Sequence, residues 1–296
     1  MKKLLVGAVL LLSACVPPPT PKDQSHTPKV ITPDWGIAQT LIALDHPPVA
    51  MGEIDGYADW ASTPVIPDGV VDIGLRFSPN AELFSQLDAD VIIDNAFYAH
   101  LRVMYRDIAH QEVSLTVDKV ATWENFATYT RHIAQAIGKE SQVEPYLTKS
   151  KDEMAGYGQR FHQKYPSIQQ VAIVQFANAQ NYRLYTTNSL FQVATKQMGL
   201  SLYAPMEGNA WGFADQSLGE LAKLPSDVCL VVISPFSQML QHELAHNELW
   251  RNMGFGSSRC MVVLPPVWIY GGVPSLVGFS QELAMAKVVG SDDDKQ

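Results

Sequence analysis

One pattern occurs twice in this chain and limits what it can become. Residues 72–93 read D-I-G-L-R-F-S-P-N-A-E-L-F-S-Q-L-D-A-D-V-I-I, and residues 217–232 read S-L-G-E-L-A-K-L-P-S-D-V-C-L-V-V. Each reads as a short amphipathic helix, an acidic turn and an apolar, β-branched strand. Glu82 and Glu220 open the two helices, followed by Leu83 and Leu221. Two similar lobes in one chain place a cleft between them, a preferred location for a small-molecule site.

The N-terminus lies outside that plan. Lys2 and Lys3 precede an apolar run over 4–12, and Leu12-Ser13-Ala14-Cys15 matches a bacterial lipoprotein cleavage box. The run is too short to span a bilayer. Residues 1–14 are expected to be a lipoprotein signal peptide and Cys15 the lipidated first residue of the mature chain. Each buried acyl methylene contributes about 0.8 kcal/mol, so several chains anchor firmly. Residues 15–29 form a proline-rich tether. The expected location is the extracytoplasmic or periplasmic face of the cell membrane.

Formal net charge is −9, with no lysine or arginine cluster. Nucleic-acid partners are excluded on that ground, because phosphate contacts need a basic stripe. Cys229 and Cys260 each sit in an apolar, strand-like run. Export permits a disulfide between them, and two reduced core cysteines are the equal alternative.

Between the ends, strand-like segments at 91–93, 171–174, 230–233 and 261–264 alternate with helical periods at 83–87, 123–137 and 189–198. This alternation predicts α/β lobes with mostly parallel sheets. Residues 139–165 are polar with sparse apolar positions at Val143, Tyr146, Leu147, Met154, Tyr157 and Phe161. They read as one long helix bridging the lobes, with Pro145 in its first turn. Gly156 and Gly158 each cost it about 1 kcal/mol. The expected divisions are an N-terminal lobe over 30–139, a connecting helix over 140–165 and a C-terminal lobe over 166–290.

Four segments carry a resemblance. These are D-I-G-L-R-F-S-P-N at 72–80, N-S-L-F-Q at 188–192, G-N-A-W-G at 208–212 and P-P-V-W-I-Y-G at 265–271. In this order and spacing they resemble the substrate-binding proteins of iron-siderophore ABC transporters, above all the periplasmic ferric-hydroxamate (ferrichrome) binding proteins. The resemblance covers nearly all of the chain after the tether. It implies a class III periplasmic-binding-protein-like fold, with two α/β lobes joined by one long helix. It also implies a monomer that binds a ferric siderophore and delivers it to ABC permease subunits, a binding protein and not an enzyme.

The chemistry of such a ligand agrees with the residues. A ferric siderophore fills the iron's coordination sphere with its own oxygens, so the protein needs neither a cofactor nor metal ligands. It needs donors to electron-rich oxygens and flat apolar walls. Arg76 supplies a permanently charged fork of donors and Tyr98 a phenolic one. The resemblance puts both on hydroxamate oxygens, where charge-assisted bonds are strongest. It assigns Trp60, Trp211, Trp268 and Tyr270 to aromatic walls and Asn209 to a polar position at the cleft. Tryptophan gives much contact area at little entropic cost, although each one alone is as well explained by core packing. Glu82 and Glu220 match acidic permease-docking positions, with helix-dipole stabilisation as the plainer role for Glu220. The chain departs from the pattern twice. An aromatic wall position falls near Asp94, and Phe213 replaces a small hydroxyl residue after the Trp-Gly pair. Cobalamin, haem and other ferric chelates remain alternative ligands.

A rival motif is His242-Glu243-Leu244-Ala245-His246, the H-E-x-x-H pattern of zinc peptidases. Its two histidines would share a helix face and bind zinc, with the glutamate as general base. No third histidine follows at G-x-x-H spacing, Glu248 is too close and Glu282 is far. Zinc peptidase activity is therefore the runner-up from another class.

Overall fold

The structure, a computed structural model, describes residues 27–61 and 63–289. The signal peptide, Cys15 and most of the tether lie outside the described residues.

The N-terminal half runs β1 (Val30–Thr32), α1 (Trp35–Ala43), β2 (Ala50–Met51), α2 (Ile54–Trp60) and β3 (Val71–Asp72). A small hairpin, β4 (Gly74–Leu75) with β5 (Ser78–Pro79), precedes α3 (Ala81–Gln86) and β6 (Val91–Asp94). A 3-10 helix (Ala96–Met104), β7 (Ala109–Glu112) and α4 (Trp123–Ala136) complete it. Its five-stranded sheet has the order β3-β2-β1-β6-β7 and is parallel throughout. The connecting helix is α5 (Glu140–Lys164).

The second half runs β8 (Gln170–Phe176), β9 (Asn181–Tyr185), α6 (Leu190–Gln197), β10 (Ser201–Leu202), β11 (Phe213–Ser217), a 3-10 helix (Leu218–Lys223) and β12 (Val228–Ile233). It continues with α7 (Gln238–His246), α8 (Glu248–Met253), β13 (Met261–Leu264) and α9 (Val273–Met285). In its sheet, β10, β12 and β13 join β8 in a parallel set, and β9 and β11 add antiparallel strands at one side. The fold is two α/β lobes with mostly parallel sheets joined by one long helix.

Local sequence accounts for the element boundaries. Asp34 caps α1, its carboxylate accepting the Ile37 amide at 2.8 Å. Asn80 caps α3 through the Glu82 and Leu83 amides, and Thr122 with Asn125 forms a capping box on α4. Such caps satisfy amides that a first helical turn leaves without partners. Two expectations need correction. α5 begins at Glu140, so Pro145 lies inside the helix beyond the first turn, where its missing N–H removes one intrahelical bond. The segment after Ser217 is a 3-10 helix and not the α-helix its twin α3 forms. Gly158 has a packing reason: a Cβ there would overlap the Met198 carbonyl where α5 crosses the end of α6.

One continuous core joins the lobes. Val30, Ile37, Leu41 and Ile133 from the first half share it with Phe161, Ile173, Val231, Leu276 and Phe279. Helix α9 comes back from the second half to pack on α1 and α4 as well as α5 and α6. Cys229 of β12 and Cys260, immediately before the neighbouring β13, form a disulfide with Cα atoms 4.7 Å apart, which decides between the two alternatives above.

Candidate functional site

Chain ends that leave the N-terminal sheet supply one wall of the site. Asp34 and Trp35 follow β1, Glu53 follows β2, Arg76 sits in the turn between β4 and β5, and Tyr98 lies on the 3-10 helix after β6. At the centre is the Arg76 guanidinium. Its Cζ lies 3.7 Å from the Trp35 ring centroid and 5.1 Å from that of Trp268. Its Nε donates to Glu53 Oε2 at 3.0 Å. Stacking on indoles holds a guanidinium by its faces and leaves its edges for hydrogen bonds.

Tyr98 is buried, with Phe77 stacked on its ring at 5.1 Å. Burial pushes its phenol well above the usual range, the nearby Asp34 carboxylate adds to this, and Arg76 opposes it. The group is a proton donor at every physiological pH. Asp34 is itself buried. Desolvation raises its carboxyl, against the lowering effects of the Ile37 amide, Asn95 and Arg76. Asn95 Nδ2 donates to Asp34 Oδ2 at 2.8 Å. The Arg76 side chain is only 15% exposed, so this cluster sits in a low-dielectric setting where its charges interact strongly.

The facing wall is aromatic. Trp268 meets Trp35 edge-on at 4.8 Å and Tyr270 at 5.4 Å. Its indole N–H is buried with no acceptor among the described residues. Tyr270 packs edge-on against Trp211 at 5.6 Å. Trp211 in turn stacks on Phe97 of the first lobe at 5.0 Å and an interplanar angle of 20°. Trp211 and Phe97 are about half exposed and bridge the seam between the lobes.

Of the residues read from sequence, Arg76, Tyr98, Trp268, Tyr270 and Trp211 form one connected set. Trp60 ends α2 and is exposed, outside the ring contacts that join the others. Asn209 lies beside the set, but its side-chain oxygen accepts the Trp211 amide at 2.9 Å and so shapes the loop that carries Trp211. A cavity of about 310 Å³ opens next to it, between Asp118, Lys119, Asn188 and Gly208. The larger hollow of about 860 Å³ along α5 is open to solvent on one helix face and contains none of these groups.

A model of the periplasmic binding protein family matches residues 30–267. The chain belongs to that family. This periplasmic binding protein is 24% identical over 255 residues to the iron(3+)-hydroxamate-binding protein FhuD of Escherichia coli strain K12, covering 86% of this chain and 85% of that protein. The structure of the Fe3+-Desferal-bound siderophore-binding protein FhuD from Vibrio cholerae matches with a TM-score of 0.78 at 25% identity, covering 88% of this chain and 99% of that one. A periplasmic heme-binding protein from Pseudomonas aeruginosa matches with a TM-score of 0.64 at 15% identity, covering 90% and 96% of the two chains, a likeness of fold alone.

The rival motif of this periplasmic binding protein lies elsewhere. His242 and His246 sit on α7 with ring centroids 4.2 Å apart, and His246 Nδ1 bonds to the His242 carbonyl. Among the described residues, no group of three or more metal-binding side chains converges there or anywhere else. Asp94, at the position expected near an aromatic wall, is fully buried. It accepts from Tyr105 at 2.6 Å, His110 at 2.8 Å and Arg102 at 3.1 Å. Glu82 is exposed in the first turn of α3, and Glu220 is paired with Lys223 at 2.8 Å.

Sequence reasoning missed Asp34, Trp35, Glu53, Phe77 and Phe97. Asp34 carried an N-cap signal, but α1 behind it reads W-G-I-A-Q-T-L-I-A and is buried on nearly every side, so no amphipathic period marked it. Phe77 and Phe97 adjoin residues that the resemblance did select. Nothing local marks Glu53.

Proposed function

We propose that this protein is a lipid-anchored extracytoplasmic receptor that captures a ferric siderophore of hydroxamate type and passes it to an ABC permease. The observation that carries this reading is the Arg76 guanidinium held between Trp35 and Trp268 beside the buried Tyr98 hydroxyl. Iron in a siderophore is already coordinated, so recognition falls to the chelate's outer face. Iron-bound hydroxamate oxygens are electron-rich acceptors, and a charged fork with a phenol beside it suits them. The buried indole N–H of Trp268 is a third donor without an acceptor. The chelate's organic frame fits a wall of Trp211, Trp268 and Tyr270, where rigid aromatic area is gained at low entropic cost. Likeness to two hydroxamate and siderophore receptors supports the ligand class.

The continuous core and the 25-residue α5 support a receptor that moves little on binding. Cys15 anchors the body to the membrane, with the proline-rich tether as spacer. Glu82 is the docking residue for the permease on the first lobe, with Glu220 its counterpart on the second. Glu82→Ala leaves chelate binding in place and lowers uptake in cells; normal uptake would remove the docking role.

The test of the ligand is quenching of intrinsic tryptophan fluorescence in the unlipidated body. It is titrated with ferrichrome, ferrioxamine, ferric citrate, a ferric catecholate, haem and cobalamin, with zinc as control. Saturable quenching by a ferric hydroxamate at micromolar concentration or below is expected. Silence toward every hydroxamate, or tighter binding of haem or cobalamin, would overturn the reading.

A further inference from the structure

We propose that Glu53 is a specificity-determining residue of this site: its carboxylate fixes Arg76 through Nε and balances its charge, so the cleft accepts neutral ferric chelates and discriminates against anionic ones. The inference rests on the ferric-chelate reading above and adds a residue and a charge rule to it.

The geometry at Glu53 is costly and specific. It precedes α2 at φ 55° and ψ 55°, the left-handed region that disfavours non-glycine residues. Strained backbone of this kind persists only where its surroundings fix it, and it concentrates at functional sites. Here Asp72 does the fixing, accepting from the Glu53 amide at 3.1 Å, the Ile54 amide at 3.0 Å and the Gly74 amide at 2.8 Å. Although Glu53 is the N-cap residue, its side chain makes no capping bond. The carboxylate turns to Arg76 instead, so helix capping does not explain it.

The two residues then act as a unit. Trp35 and Trp268 cover the guanidinium, and Glu53 occupies the Nε side. Arg76 also hydrogen-bonds the Tyr98 phenol, so the guanidinium and that hydroxyl form one donor set. Arg76 thus keeps directional donors while its charge is cancelled by a neighbour that is itself one-third exposed. The other charged groups nearby do not restore a positive wall. Asp34 is buried and bonded to the Ile37 amide and Asn95, and Asp72 is engaged by backbone amides. Arg183, over the Phe213 ring at 4.7 Å, lies on the opposite lobe near Tyr270, and Lys119 at the cavity beside Asn209 is accompanied by Asp118 and Glu207. Three monoanionic hydroxamates neutralise ferric iron, whereas three dianionic catecholates leave a trianion. With the Arg76 charge balanced by Glu53, a trianion meets no net positive charge here and is repelled by the Glu53 carboxylate, whereas a neutral complex is not.

The experiment compares dissociation constants for ferrichrome, which is neutral, and ferric enterobactin, a trianion, in wild type, Glu53→Gln and Glu53→Asp. A glutamine oxygen can still accept from Arg76 Nε, so the first variant removes charge while retaining the contact. The second retains charge in a shorter side chain. The catecholate-to-hydroxamate ratio is expected to fall about tenfold or more in Glu53→Gln, as for one charge removed from a trianion at high effective dielectric. It should stay near the wild-type value in Glu53→Asp. An unchanged ratio in Glu53→Gln, or an equal fall in both variants, overturns the role of Glu53 and leaves the ferrichrome reading standing. Wild type that binds neither chelate overturns both.

Discussion

The two lobes follow one plan with different materials. The first is built from strands of two to four residues, a five-stranded parallel sheet and the small antiparallel β4–β5 hairpin, and it carries the charged groups Asp34, Glu53 and Arg76. The second has long apolar strands such as V-C-L-V-V-I, buried at all six positions, a disulfide and added antiparallel strands. Its contribution to the site is almost wholly aromatic. The difference teaches that, in the proposed site, charged groups and aromatic area come from opposite sides of the seam. A polar cluster needs loops and helix starts that can aim short side chains. A flat wall needs only a firm backing. Trp268 joins the two, because it follows β13 of the second lobe yet packs with Trp35, Met51 and Tyr57 of the first.

The largest effect should come from the polar side. Arg76→Ala removes the charged donors and strands Glu53, and siderophore affinity is expected to fall a hundredfold or more, since bonds to charged groups contribute about 1.5–3 kcal/mol each. Fluorescence titration measures this, with circular dichroism to show that the fold survives. Affinity within threefold of wild type would break the division of labour between the lobes.

The second effect tests the backing. Replacing Cys229 and Cys260 by serine opens a link between residues 31 apart, and stability should fall by about 3–4 kcal/mol. Guanidinium unfolding of the oxidised protein and the double variant measures it. A loss under 1 kcal/mol would mean that the second lobe is held by its strands alone.

The smallest effect concerns Asp34. Its folded-state pKa is raised above the usual 3.8 by burial. The folded protein therefore holds this proton more tightly than the unfolded chain. Stability falls as pH rises from the ordinary carboxylate range through the folded value, because the native state then binds more protons than the unfolded one. Asp34→Asn, which keeps a capping oxygen, should remove that fall and gain on wild type as pH rises. Urea unfolding across pH 3 to 8 tests the sign. Parallel curves for the two proteins would place Asp34 outside the titrating set.

Legibility in the sequence followed burial pattern. The long strands of the second lobe were readable because fully buried parallel strands are continuous apolar runs. The first lobe's β2 and β3, of two residues each, gave no period to read. Helix α1 hid for the opposite reason, being buried on nearly every side, Gln39 and Thr40 included, so that no polar face marked its period. At the site, Arg76, Tyr98, Trp211, Trp268 and Tyr270 could be named from motif resemblance, whereas Glu53 could not, since its role depends on a left-handed backbone and a partner 23 residues away.

The sequence by itself determined the α/β alternation, the connecting helix, the two-lobed plan and the chemical types needed for an oxygen-rich ligand, because periodicity and donor chemistry are local properties. Tertiary structure alone decided that α9 ties the lobes into one core, that Cys229 meets Cys260, and that Arg76 is clamped by Trp35, Trp268 and Glu53. Those are contacts between distant parts of the chain. Their energies depend on distance and burial, which no local pattern records.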